Sequence, residues 1–211
     1  MRRWFGLLFV AGALVFTAAI YGDLPGRVPT HWNIRGEVDG WSSRAIGAFL
    51  LPLMGVVIWL VLRFLPRIDP RRENYARFRD TYDLVANALV SLMALVHVVV
   101  LGAALGWPIS PERIIGAGVG VLFVLLGNVL PRARPTWFFG IRTPWTLTND
   151  RVWERTHRLG GYLFVAAGLL FLAAALFPTA LPGMAVPVAV AVLVLTTVVY
   201  SFVAWKQETS R

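Results

Sequence analysis

Three sets of side chains in this 211-residue chain carry the residue types needed for chemistry. The first is His31, Asn33, Glu37 and Asp39, within the polar stretch GDLPGRVPTHWNIRGEVDGWSS. One imidazole and two carboxylates are ligands for a divalent cation, and a bound cation would activate water for hydrolysis. Their spacing matches no metal motif, and no second histidine is near in sequence. Arg35-Gly36 and Asp39-Gly40 are good turn formers. The expectation is therefore no metal and no cofactor, and a folded cap able to receive an extracellular peptide.

The second set is Asn87, His97 and Asn128, which interrupt apolar segments. Polar residues inside a membrane are costly and default to a functional hypothesis. They also serve as interhelical hydrogen-bonding glue. No Asp, Glu, Lys or Arg lies deep within an apolar segment, which argues against a proton- or ion-coupled transporter and leaves a channel open.

The third set lies in GNVLPRARPTWFFGIRTPWTLTNDRVWERTHRLGG, residues 127–161. Six arginines (132, 134, 142, 151, 155 and 158) face only Asp150 and Glu154, with Trp137, Phe138, Phe139, Trp145 and Trp153 interleaved. Pro131, Pro135 and Pro144 forbid one continuous helix through its first half. No nucleophile motif, phosphate loop or paired-carboxylate arrangement occurs anywhere, so no catalytic residue is assigned.

The elements that must position these residues are membrane helices. The chain is 57% hydrophobic and 15% charged, where a soluble domain is nearer a quarter charged. Its apolar residues come in blocks of the ~20 residues that a spanning helix needs. Six spans are expected: Trp4–Tyr21, Ala45–Leu65, Leu84–Leu105, Pro111–Leu130, Leu159–Phe177 and Met184–Trp205. The first also has the basic start and small late residues of a signal peptide, but is long enough to be retained as a span. Pro52 should kink the second, and Gly116, Gly120 and Gly127 give the fourth a face for close packing. That face serves either the bundle or a homo-oligomer.

The net charge of +9 follows the loops. Sixteen basic residues fall on the side of the two termini. Only Arg27, Arg35, Arg44 and Arg113 fall on the other. The positive-inside bias then places both termini in the cytoplasm. The basic residues thus serve topology and the lipid bilayer, and no direct nucleic-acid partner is expected. Trp41, Trp107, Trp137, Trp153 and Trp205 lie near predicted helix ends, as interfacial anchors do.

The expected organisation is an N-terminal helical hairpin over 1–65 with an extracytoplasmic loop at 22–44. A basic cytoplasmic loop follows at 66–83, with a short surface helix near 74–83. A four-helix unit over 84–211 then carries the cytoplasmic loop 131–158. Arginines and aromatics in that loop suit either lipid headgroups or a structured docking surface. For docking, the residues are Arg142, Thr143, Pro144, Trp145, Trp153, His157 and Arg158, with Phe138 and Phe139 as further anchors. Thr148 or Asn149 should cap the helix that follows. Trp153, His157 and Gly160 or Gly161 share one face of it, packing back onto the loop, and Glu154–Arg158 is an i, i+4 pair.

Loop 127–161 resembles the signature of the SdpI family through Gly127-Asn128, Pro131, Pro135, Gly140-Ile141-Arg142-Thr143-Pro144-Trp145-Thr146, Trp153 and Thr156-His157-Arg158. The stretch LPGRVPTHWNIRGEVDGWSS resembles a small domain of unknown function often fused in front of it, through Pro29, His31, Asn33, Gly36, Asp39 and Gly40. The resemblance implies a bacterial inner-membrane protein that protects its cell from a secreted peptide toxin. It also implies recruitment of a cytosolic autorepressor to the membrane. The alternatives are a membrane-embedded metal-dependent enzyme or small-molecule permease using the polar outer loop, or a housekeeping protein of envelope stress tolerance.

Overall fold

The computed structural model describes residues 4–33, 36–180 and 183–210. Arg2, Arg3, Arg35 and Arg211, which enter the charge balance, lie outside the described residues. The helices are α1 (Phe5–Ile20), α2 (Arg44–Ile68), α3 (Arg79–Ala104), α4 (Pro111–Val129), α5 (Pro144–Thr148), α6 (Asp150–Leu176) and α7 (Ala185–Thr209). Short 3-10 turns occupy Arg72–Phe78 and Leu130–Arg132. Helices α2, α3, α4, α6 and α7 are long and apolar enough to cross a membrane, and α1 is a shorter apolar helix. Helix α2 runs unbroken through Pro52. The chain divides into two compact units, residues 1–62 with 86–119, and residues 63–85 with 120–211.

In the first unit, α1 is bound to α3 by two polar contacts. The Gly6 amide donates to Asn87 Oδ1 at 2.9 Å, and Thr17 Oγ1 lies 2.6 Å from His97 Nε2. Positions rise together along both helices, so α1 runs parallel to α3. At 1.5 Å per residue α1 is about 24 Å long, short of the ~30 Å apolar core. These contacts give it a fixed place along a longer helix. The Thr17 hydroxyl donates to Ala13 O at 2.9 Å, so the proton shared with His97 belongs to Nε2. His97 is fully buried, and its Nδ1 has no partner among the described residues.

Between α1 and α2 the chain is not an irregular loop. Strands β1 (Arg27–Trp32) and β2 (Val38–Ser43) pair antiparallel, with register shifts around His31. Val28, Trp32, Val38 and Trp41 supply the β-branched and aromatic residues that suit a pleated surface. The turn-forming glycines and prolines hid this pattern in the sequence. Val28 anchors the hairpin in a core with Leu24, Ala48, Val100 and Leu101. Only a glycine fits beneath it, because a Cβ on Gly47 would approach Val28 Cβ to 2.6 Å.

In the second unit, α4 and α6 meet at glycines. A Cβ at Gly127 would stand 2.5 Å from Gly161 O, and one at Gly120 would stand 2.9 Å from Gly168 O. Contact positions rise on one helix as they fall on the other, so the pair is antiparallel. Small residues permit this backbone approach. Gly116 meets nothing within 4 Å and takes no part in it.

Candidate functional site

Residues 130–149 form a compact platform with the turn after α2 and the first two turns of α6. Its centre is a residue the sequence did not single out. Asp69 follows α2 and is 2% exposed. Its Oδ1 accepts the Arg71 amide at 2.7 Å, an Asx-type turn. Its Oδ2 accepts the Tyr75 hydroxyl at 2.9 Å and the Trp137 and Phe138 amides at 2.9 and 3.2 Å. A buried carboxylate is tolerated when its oxygens are satisfied in this way. The signal available in the sequence was slight, one acid before a proline in an arginine-rich turn.

Neighbouring residues repeat this tie. Arg71 reaches Asp150 at 3.0 Å and Leu147 O at 3.0 Å. Asn74 donates to Pro135 O at 2.7 Å. Phe139 packs on the buried cluster of Tyr75, Phe78 and Tyr82. The stretch expected as a short surface helix near 74–83 is a 3-10 turn over Arg72–Phe78 that runs into the start of α3, its aromatics turned inward.

The face of α6 expected to fold back onto the loop does so. Trp153 and His157 are fully buried and stacked, their ring centroids 4.0 Å apart. Trp153 Nε1 donates to Ala133 O at 2.9 Å. Trp153 is therefore an internal strut, and the interfacial-anchor expectation is corrected. His157 Nε2 accepts the Ile141 amide at 2.9 Å, which requires the proton on Nδ1, 2.8 Å from Trp153 O. Gly140 has φ 101°, in the left-handed region, and a Cβ there would stand 2.4 Å from His157 Nε2. Both constraints select glycine.

Thr143 caps α5 reciprocally with Thr146, and its hydroxyl also lies 3.0 Å from Ser201 Oγ on α7. Asn149 caps α6, accepting the Arg151 and Val152 amides at 2.9 and 3.1 Å. Glu154 pairs with Arg134 at 3.3 Å, where an Arg158 partner was expected. Arg151 and Arg155 both reach Glu208 near the end of α7, at 3.5 and 3.3 Å.

What remains outward is a mixed aromatic and cationic face. Trp137 is 48% exposed and Phe138 39%. Arg142 is exposed and donates to Trp137 O at 2.8 Å. Pro144 and Arg158 are exposed, and Trp145 is half-buried against Phe202. The seven residues expected to dock a partner thus divide. Thr143, Trp153 and His157 form the frame, and Arg142, Pro144, Trp145 and Arg158 lie at the surface.

The hairpin set is arranged differently. His31 Nδ1 contacts Asp39 Oδ1 across the strands. Asn33 donates to Glu37 at 2.9 Å and accepts the Glu37 amide at 3.1 Å. Among the described residues, no group of three or more His, Cys, Asp or Glu side chains could hold a metal ion. Asn128 is exposed, and its side-chain NH2 donates to Val124 O at 2.8 Å within its own helix.

Residues 132–201 match the model of the SdpI/YfhL protein family, and residues 8–56 match a domain of unknown function, DUF1648. Residues 132–201 are thus an SdpI-type segment, and the chain is similar to the SdpI family beyond it. Immunity protein SdpI of Bacillus subtilis (strain 168) is 24% identical over 198 residues, covering 94% of this chain and 91% of that one. No solved structure matches. With its apolar helices, the similarity to SdpI makes this a multi-pass protein of the bacterial inner membrane. The SdpI match takes in most of the platform, whereas Asp69, Arg71, Asn74 and Tyr75 lie outside both matched segments.

Proposed function

We propose that this SdpI-like protein is a membrane immunity protein. It protects its cell from a secreted peptide toxin and uses the platform as a cytoplasmic docking surface for a soluble partner, a repressor held at the membrane. The similarity to an immunity protein along nearly the whole chain supports the first part. The second part rests on one observation. The arginine-rich loop has a buried, hydrogen-bonded frame that presents Trp137, Phe138, Arg142 and Trp145. A loop that only set topology or touched headgroups would need charge and no such frame. Aromatic and arginine residues are the usual energetic anchors of protein interfaces.

The test has two arms in cells producing the full chain. Deletion of the protein should sensitise them to the toxin-bearing secretion of competitors. Arg142→Ala and Trp145→Ala should abolish recovery of the soluble partner with the membrane fraction while the protein stays in the membrane. Normal recruitment by both variants would sink the docking proposal and leave the immunity proposal to the first arm.

A further inference from the structure

The antiparallel crossing of α4 and α6 brings two arginines without counterions to one flank. Gly161 touches both Gly127 and Pro131. One residue beyond each of these contacts stand Asn128, about 100° round α4, and Arg132, about 120° round the 3-10 turn that continues it. On α6, Tyr162 stands one residue beyond Gly161, and Arg158 lies one turn before Tyr162 on the same face. In antiparallel helices, near-equal rotation from the contact line leads to the same side of the pair. All four residues are exposed, Tyr162 at 71%.

Neither Arg132 nor Arg158 has an ion-pair partner among the described residues. Glu154, the carboxylate one turn before Arg158, is taken by Arg134. The same rotation, applied at the Gly120–Gly168 contact deeper in the helices, gives Val121 and Leu169, which are 57% and 56% exposed. The flank is therefore cationic at the loop end and apolar along the helix middles.

We propose that this flank holds one anionic phospholipid. Its phosphate lies between Arg132 and Arg158 and accepts from the Tyr162 hydroxyl, and an acyl chain lies along Val121 and Leu169. Two guanidiniums match phosphate oxygens, and the apolar continuation below them selects a lipid over a free anion.

The experiment is native mass spectrometry of the full chain in neutral detergent, titrated with phosphatidylglycerol. The wild-type protein should retain one molecule. Arg132→Gln combined with Arg158→Gln should weaken retention about 30-fold, at ~1 kcal/mol per basic residue near a headgroup. The pair Arg72→Gln and Arg77→Gln, equally cationic and exposed, should leave retention unchanged. Excess inorganic phosphate should not displace the lipid. Unchanged retention by the first double variant would overturn the proposal. So would equal losses in both double variants, which mean diffuse charge attraction, and displacement by phosphate, which means a free-anion site.

Discussion

The hairpin and the platform are both polar, turn-rich connections between apolar helices, yet they are held by opposite means. The hairpin's polar side chains pair with near neighbours in sequence, His31 with Asp39 and Asn33 with Glu37, and these pairs are solvent-exposed. The platform's ties join distant segments, and those at its centre are buried or partly buried. Asp69 reaches Trp137 and Phe138, Asn74 reaches Pro135, and Thr143 reaches Ser201. Exposed pairs contribute little to stability and leave a surface free to adapt. Buried, cross-linked groups are costly to disturb and fix one shape. The hairpin's side-chain ties are therefore local, and the platform's fix one arrangement across distant segments.

Breaking this contrast starts at its strongest point. Asp69→Ala should destabilise the protein by about 3–5 kcal/mol, because it strands the Tyr75 hydroxyl and the Trp137 and Phe138 amides in a buried site. Thermal unfolding in detergent reads this out. Asp69→Asn, which keeps one acceptor oxygen, should lose clearly less.

Next comes Gly140→Ala, expected to cost about 2–3 kcal/mol from left-handed strain and collision with His157. A smaller loss, about 1 kcal/mol, is expected for Asn149→Ala at the start of α6. At the low end, His31→Ala and Asn33→Ala should each change stability by under ~1 kcal/mol. If a hairpin variant unfolds the protein as readily as Asp69→Ala, the contrast between the two regions is wrong.

The sequence made the helices legible because apolar length is a direct signal. It also disclosed the Asn149 cap and the inward face of Trp153 and His157, since both follow from local helical spacing. The hairpin was hidden because Gly, Pro, Asn and Asp argue for turns, and a short two-stranded pairing leaves only a weak alternation around Val28 and Trp41. Asp69 was hidden for a different reason. Its long-range partners are backbone amides 68 and 69 residues away, and amides have no sequence signature. The same limit explains Trp153, whose position near a helix end reads equally as interface or interior until Ala133 O is found beside it.

The central claim, a platform fixed by buried ties, is tested most directly by hydrogen–deuterium exchange of the full chain in lipid nanodiscs. Slow exchange is expected at the Trp137, Phe138 and Ile141 amides. Asp69→Ala should release Trp137 and Phe138 while the Asn33 amide, bonded to Glu37 O within the hairpin, is unaffected. Exchange of these platform amides at the rate of an open peptide in the unmodified protein would contradict the account.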